Sequence, residues 1–250
     1  MIKNLVVSGC SFTAGYHNNQ KPWPFWTAAA LGVKCHNIAF SGAGNTYISN
    51  SIVDYLEKTQ LDPEETVVVV MWSGTRRKDI RVDAEFWKLL DYKFKFKSTT
   101  GDDCCYVGSC GGHNAWNSNS DTKRLFEMLY LATDGVSACK DTMMNFINLK
   151  NYLQTSGYMY KFTSFYNQWE LNRECSDAGE YLLSYYGDKI TLYQQLDYTD
   201  WFFINENKDG LWEYTKTNKL IAEDNWHPTD QAHRQYAENI VVPNLQEYFK

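Results

Sequence analysis

Short apolar blocks that end in glycine or serine turns alternate with longer stretches whose apolar residues recur at helical spacing. Leu5-Val6-Val7 before Ser8-Gly9 predicts a buried strand running into a turn. Trp23 to Leu31, with its Ala28-Ala29-Ala30 run, predicts a helix that stops at Gly32, because glycine readily takes the left-handed conformation that closes a helix. Val33 to Phe40 predicts a second strand and Ser41-Gly42-Ala43-Gly44-Asn45 a tight loop, behind which Ile48, Ile52, Val53 and Leu56 mark one helix face. Thr66 to Trp72 is β-branched and unalternated, the pattern of a strand buried on both faces of a parallel sheet.

The second half is less regular. A charged, helix-like piece follows residue 76, then the alternation Tyr92-Lys93-Phe94-Lys95-Phe96-Lys97, then a Gly/Asn/Ser/Cys-rich run over 101–120. The whole of 76–120 reads as an irregular insertion, with the alternating piece as an edge strand that turns its lysines outward. Helical patterns at 121–134 and 139–155 precede a strand over Tyr158 to Phe165, and a further helix falls near 177–186. Ile190 to Tyr193 has edge-strand composition. Thr229 to Phe249 is helical, with Ala232, Tyr236, Ile240 and Leu245 inward and a kink at Pro243. Strand and helix in alternation predict an α/β fold, a central parallel sheet with helices on both faces, in one domain over 1–250. In such sheets chemistry sits at the carboxyl ends of strands, where Ser8 to Gly15, Ser41 to Asn45 and Ser73 to Thr75 all fall.

Charge narrows the partners. With 24 Lys+Arg against 30 Asp+Glu the net charge is −6, which offers no general attraction to nucleic acid or anionic bilayers. No window approaches the roughly 18 apolar residues of a membrane span, and the three apolar residues after Asn4 are too few for a signal peptide, so the expectation is a cytoplasmic protein. Seven scattered cysteines fit reduced thiols, and the irregular spacing of Cys104, Cys105, Cys110 and His113 does not make a zinc site. Eighteen Tyr, 13 Phe and 9 Trp exceed what a core of this size needs, which places some aromatics at a surface or pocket.

The turn after the first strand carries Gly9-Cys10-Ser11-Phe12-Thr13-Ala14-Gly15. Tyr16-His17 stand where a phosphate loop needs Lys and Ser/Thr, and a dinucleotide fingerprint's third glycine is missing. What remains is a serine at the mouth of a turn, either a helix N-cap or a nucleophile. Near the other end, Asp224 precedes His227 by three residues and Pro228 follows, biasing His227 away from helix and suiting the first turn of the helix beyond. Asp224 can then hold one imidazole nitrogen and leave the other to take a proton from a serine.

Gly9-Cys10-Ser11, Asn37 to Gly42 and Asp224-x-x-His227-Pro228 resemble, in order, the first, second and last motif blocks of the SGNH hydrolase superfamily, the GDSL-type esterases. That resemblance implies a flavodoxin-like three-layer α/β/α sandwich and a serine esterase needing neither metal nor organic cofactor. It implies Ser11 as nucleophile and, through its N–H, as an oxyanion donor, Gly42 as a second donor, His227 as general base and Asp224 as its orienting carboxylate. The family's third block carries an asparagine that completes the oxyanion hole, whereas this chain reads Trp72-Ser73-Gly74-Thr75-Arg76-Arg77. Losing such a donor costs about 2.7–4 kcal/mol unless another replaces it. Thr75 is the first substitute, with Ser73, Arg76 and Asn45 as further candidates, and Arg76 also suits a substrate carboxylate. Trp72 and Trp226, next to the catalytic turns, are candidate walls for a sugar ring or acyl group.

The expectation is an esterase that removes an acyl group, acetyl above all, from a carbohydrate or another small polar ester. A mean hydropathy of −0.51 argues against a lipid-docking surface and a long-chain lipase. An O-acyltransferase would use the same residues. The alternative from another class is a non-catalytic glycan-binding or structural module of a larger assembly such as a virion.

Overall fold

The computed structural model describes residues 1–15, 20–89, 95–97, 105–109, 128, 134–169, 191–224 and 226–249. In chain order these form β1 (Asn4–Ser8), α1 (Ser11–Ala14), α2 (Trp23–Leu31), β2 (Lys34–Asn37), α3 (Asn45–Thr59) and β3 (Thr66–Trp72). Next come β4 (Lys78–Val82), α4 (Ala84–Leu89), β5 (Lys95–Lys97), β6 (Cys105–Ser109), α5 (Gly135–Thr155) and β7 (Met159–Ser164). The chain finishes with α6 (Leu211–Thr217), α7 (Asp230–Tyr236) and α8 (Val242–Leu245).

Four strands make a parallel sheet in the order β2-β1-β3-β7. All seven residues of β3 are buried, because the strand has a neighbour on each side and helices above and below. Val68, Val70 and Trp72 face α3 and α5, where they meet Ile48, Ile52, Met143 and Phe146. Val67, Val69 and Met71 face the other way, toward Phe12, Trp23, Leu211, Tyr236 and Val241 of α1, α2, α6, α7 and the terminal helical run. The outcome is an α/β/α sandwich with an apolar core on each face of the sheet. The chain leaves β1 to build β2 on one side and returns to build β3 on the other. That reversal puts the topological switch point at the carboxyl ends of β1 and β3, where open α/β sheets bind ligands.

The 76–120 stretch is more regular than its composition suggests. Its described part holds α4 and an antiparallel sheet in the order β4-β6-β5, with β5 at an edge as the Lys/Phe alternation predicts. Tyr106 of β6 is fully buried with its ring 5.1 Å from that of Tyr47 on α3, so the small sheet is anchored on the main core. The edge strand expected over Ile190 to Tyr193 does not form in its described part, 191–193. Thr191–Gln195 is a 3-10 turn that sends Leu192 to the core, and the bridge beside β7 is made by Trp201 to Phe162. The C-terminal helix runs through a π-turn over Ala237–Val241 just before Pro243, whose missing N–H leaves the α-helical ladder incomplete there.

Cys10, Cys35 and Cys139 are not joined in disulfides. Cys104, Cys110, His113, Lys93, Phe94, the expected helix at 177–186 and all but residues 128 and 134 of the one at 121–134 lie outside the described residues, as does most of the 101–120 run. No helix among the described residues is long and apolar enough to cross a membrane.

Candidate active site

The turn after β1 is too tight for any residue but glycine at position 9. A Cβ there would stand 2.3 Å from Thr13 Oγ1 and 3.1 Å from the Met71 carbonyl. The short helix α1 can therefore sit directly against β3, and Ser11 opens it. Cys10 is the N-cap, and its carbonyl receives the N–H groups of Thr13 and Ala14. The Ser11 hydroxyl lies instead 2.9 Å from His227 Nε2. Ser11 is thus the first residue of α1 and not its N-cap.

His227 reaches Ser11 from a loop closed on itself. Ala222 N–H donates to the His227 carbonyl at 2.8 Å, Thr229 N–H donates to the Leu220 carbonyl at 2.9 Å, and Gln20 Nε2 holds the Pro228 carbonyl at 2.7 Å. Thr229, not Pro228, starts the following helix: its hydroxyl accepts from Ala232 N–H and α7 begins one residue later, so Pro228 lies outside the helix and fixes the approach. Within the loop Asp224 does two jobs. One carboxylate oxygen accepts the backbone N–H groups of Trp226 and His227 at 2.9 and 2.8 Å, while the other lies 2.5 Å from His227 Nδ1. Burial works against the Asp224 carboxylate, but these N–H groups and the imidazole outweigh it and hold its pKa below the usual carboxylate value. An ionised Asp224 accepts Nδ1–H and leaves Nε2 as an acceptor facing Ser11.

Ser11 and His227 are 5% and 8% exposed, so the pair is largely shielded while still touching solvent. The Phe12 ring, 5.4 Å from the imidazole, backs it and rests on Phe165 at 4.8 Å. Trp226 is half-buried next to His227, its ring 4.5 Å from that of Trp212. Trp72 is not part of this surface. It is fully buried on the opposite face of the sheet, against Phe146 and Phe162, because alternation along β3 sends Met71 and Trp72 to opposite cores.

Gly42 occupies its turn with φ of 85°, a conformation that favours glycine. Asn45 is not available as an oxyanion donor. Its Oδ1 accepts from Ser73 N–H at 2.8 Å and its Nδ2 donates to the Ser73 carbonyl at 3.0 Å, so it fastens the second turn to the third. Ser73 and Thr75 are buried in that third turn, and Arg76 is half-buried beside them. Two residues that the sequence did not single out also meet here. Arg77 Nη1 donates to the Ala43 carbonyl at 3.3 Å, with its guanidinium over the Phe165 ring at 5.4 Å. Asp79 accepts from the N–H groups of Gly44 and Tyr47 at 3.0 Å each. Burial pushes the Asp79 carboxyl up to about 6, even though those N–H groups, Arg77 and Lys78 pull it down. The only hint in the sequence was their place just beyond the central strand, where the 76–120 stretch was read as irregular.

No protein-family profile and no curated protein sequence matches the chain. Solved structures do. The lipase Lip_vut3 from goat rumen metagenome is 11% identical and superposes with a TM-score of 0.51, covering 98% of this chain and 97% of its own. A G-D-S-L family lipolytic protein from Veillonella parvula gives 9% identity and a TM-score of 0.51 over 99% and 98% of the two chains. The psychrotrophic esterase EstA from Pseudoalteromonas sp. gives 12% and 0.50 over 99% and 98%. The fold is therefore that of the SGNH, or G-D-S-L, hydrolases: a central parallel sheet of four strands between helical layers.

Proposed function

We propose that the protein is a serine esterase that removes an acyl group, acetyl for preference, from a hydroxyl of a carbohydrate or a similar polar substrate. The observation that carries this reading is the line Ser11 Oγ, His227 Nε2, His227 Nδ1, Asp224 Oδ2, with separations of 2.9 and 2.5 Å across its two contacts. In this mechanism His227 takes the Ser11 proton as Oγ attacks the ester carbonyl. Asp224 stabilises the imidazolium that forms, and His227 returns the proton to the leaving alcohol. Water, activated by the same base, then releases the acid. The N–H groups of Ser11 and Gly42 and the Thr75 hydroxyl receive the negative charge of the tetrahedral intermediate, Thr75 standing in for the asparagine of the related enzymes. Trp226 offers its face to the substrate, and Arg76 is a second substrate contact.

Purified protein assayed on p-nitrophenyl acetate, longer p-nitrophenyl esters and acetylated glycans, beside Ser11→Ala, tests the reading. Acetyl esters should turn over faster than longer ones, and Ser11→Ala should lose about a thousandfold or more in kcat. Equal turnover by Ser11→Ala, or none by folded wild type on any ester, would overturn it.

A further inference from the structure

We propose that Asp79 and Arg77, at the start of the excursion beyond β3, are positioning residues that fix the 41–44 turn so that Gly42 N–H is aimed at the developing oxyanion. The inference rests on the esterase reading above and adds residues which that mechanism leaves out.

A glycine-bearing turn is the least rigid way to hold a hydrogen-bond donor, and an oxyanion hole works only when its donors are fixed before reaction. Three sets of contacts restrain this one. Asn45 exchanges hydrogen bonds with the Ser73 backbone, Arg77 donates to the Ala43 carbonyl, and Asp79 receives the N–H groups of Gly44 and Tyr47. Gly42 lies next to the carbonyl-bearing residue Ala43, so a shift at Ala43 or Gly44 is passed directly to its own N–H.

Capping α3 for stability alone has a simpler solution. A Ser or Asp at position 44 would cap the helix locally. Instead Gly44 is the N-cap with no side chain to offer, and a carboxylate 35 residues further along does the work. Glycine is required because a Cβ at 44 would stand 2.7 Å from Asp79 Oδ2 and 2.9 Å from the Arg77 carbonyl. Arg77 and the start of β4, with Asp79, thus press on the turn closely enough to set its shape. A buried carboxylate is costly unless each oxygen is occupied, and both Asp79 oxygens accept a backbone N–H from this one segment.

Asp79→Asn presents an amide where one N–H needs an acceptor, so it releases half the grip with little change in shape. On p-nitrophenyl acetate at a temperature well below unfolding, kcat should fall about tenfold to a hundredfold while KM stays within about twofold. Affinity for a small alkylboronic acid, which forms a tetrahedral adduct at Ser11, should fall with kcat. A purely structural role would lower the unfolding temperature and leave both numbers alone. If Asp79→Asn does not fold, Arg77→Met, which keeps the carboxylate and removes the bond to Ala43, carries the same expected split. A folded variant with wild-type kcat and boronate affinity, or a loss confined to KM, overturns the inference and leaves the esterase reading standing. A wild type that neither turns over nor binds boronate overturns both.

Discussion

His233 lies on α7, just past the loop that carries His227, and its ring is almost wholly inaccessible. Its Nδ1 accepts the Trp23 N–H at 3.3 Å, and burial, with the nearby His227 charge, pushes its pKa down to about 3. In the unfolded chain the imidazole charges below about pH 6.5, whereas the folded chain keeps it neutral, so acid favours unfolding. Asp79 acts in the opposite sense: its raised pKa lets the folded state take a proton first as pH falls from about 6. Comparing wild type with His233→Gln isolates the histidine. Between pH 7 and 4.5 wild type should lose more urea stability than the variant, by about 1.4 kcal/mol per pH unit below 6.5 as an upper bound, read from denaturation midpoints. Equal losses would mean that His233 is charged in the folded state. That Ser11, Asp224 and His227 meet was legible at this scale, because an acid three residues before a histidine and a serine at the mouth of a strand turn suit one hydrogen-bonded line. Trp72 was misread because adjacency in sequence to such a turn says nothing about which face of the strand a side chain takes.

The elements of the parallel sheet were readable to within a few residues, since a strand buried on both faces has no polar alternation and a helix such as α2 ends where glycine closes it, at Gly32. Trp23–Leu31 and Thr66–Trp72 have the predicted bounds. The small antiparallel sheet was not readable. β4 is Lys-Asp-Ile-Arg-Val, polar in composition, and its place depends on Asp79 finding backbone donors far away in the chain. Likewise, 191–195 has strand-like residues but packs as a turn because the edge of β7 is already bridged by Trp201. Contacts between elements also explain Gly210. A Cβ there would meet the Ser164 carbonyl at 2.3 Å and the backbone of Phe165 and Tyr166 at 2.7 Å, where α6 abuts the end of β7. Backbone cannot rotate away, so Gly210→Ala should destabilise the protein by about 1–3 kcal/mol, visible as a lowered denaturant midpoint with an unchanged slope. A midpoint equal to wild type would show that α6 can shift freely from β7.

Across the whole molecule, the parallel sheet brings together residues that are 216 positions apart, and this is what turns a serine and a histidine into a pair. In the proposed mechanism the turns after β1, β2 and β3 would supply the nucleophile Ser11, the Gly42 N–H and Thr75, while the closed loop before α7 would supply His227 as base. A net charge of −6 plays no visible part in this assembly, whereas most aromatics among the described residues pack in the two cores, with Trp212 and Trp226 forming a face beside His227. The central claim is that this arrangement activates Ser11 as a nucleophile. The most direct test treats the folded protein with a fluorophosphonate and reads intact mass and the labelled peptide. The account predicts a single adduct on Ser11 that is absent in Ser11→Ala and forms far more slowly in His227→Ala. A folded wild type that takes up no label, or an adduct that persists in Ser11→Ala, would contradict it.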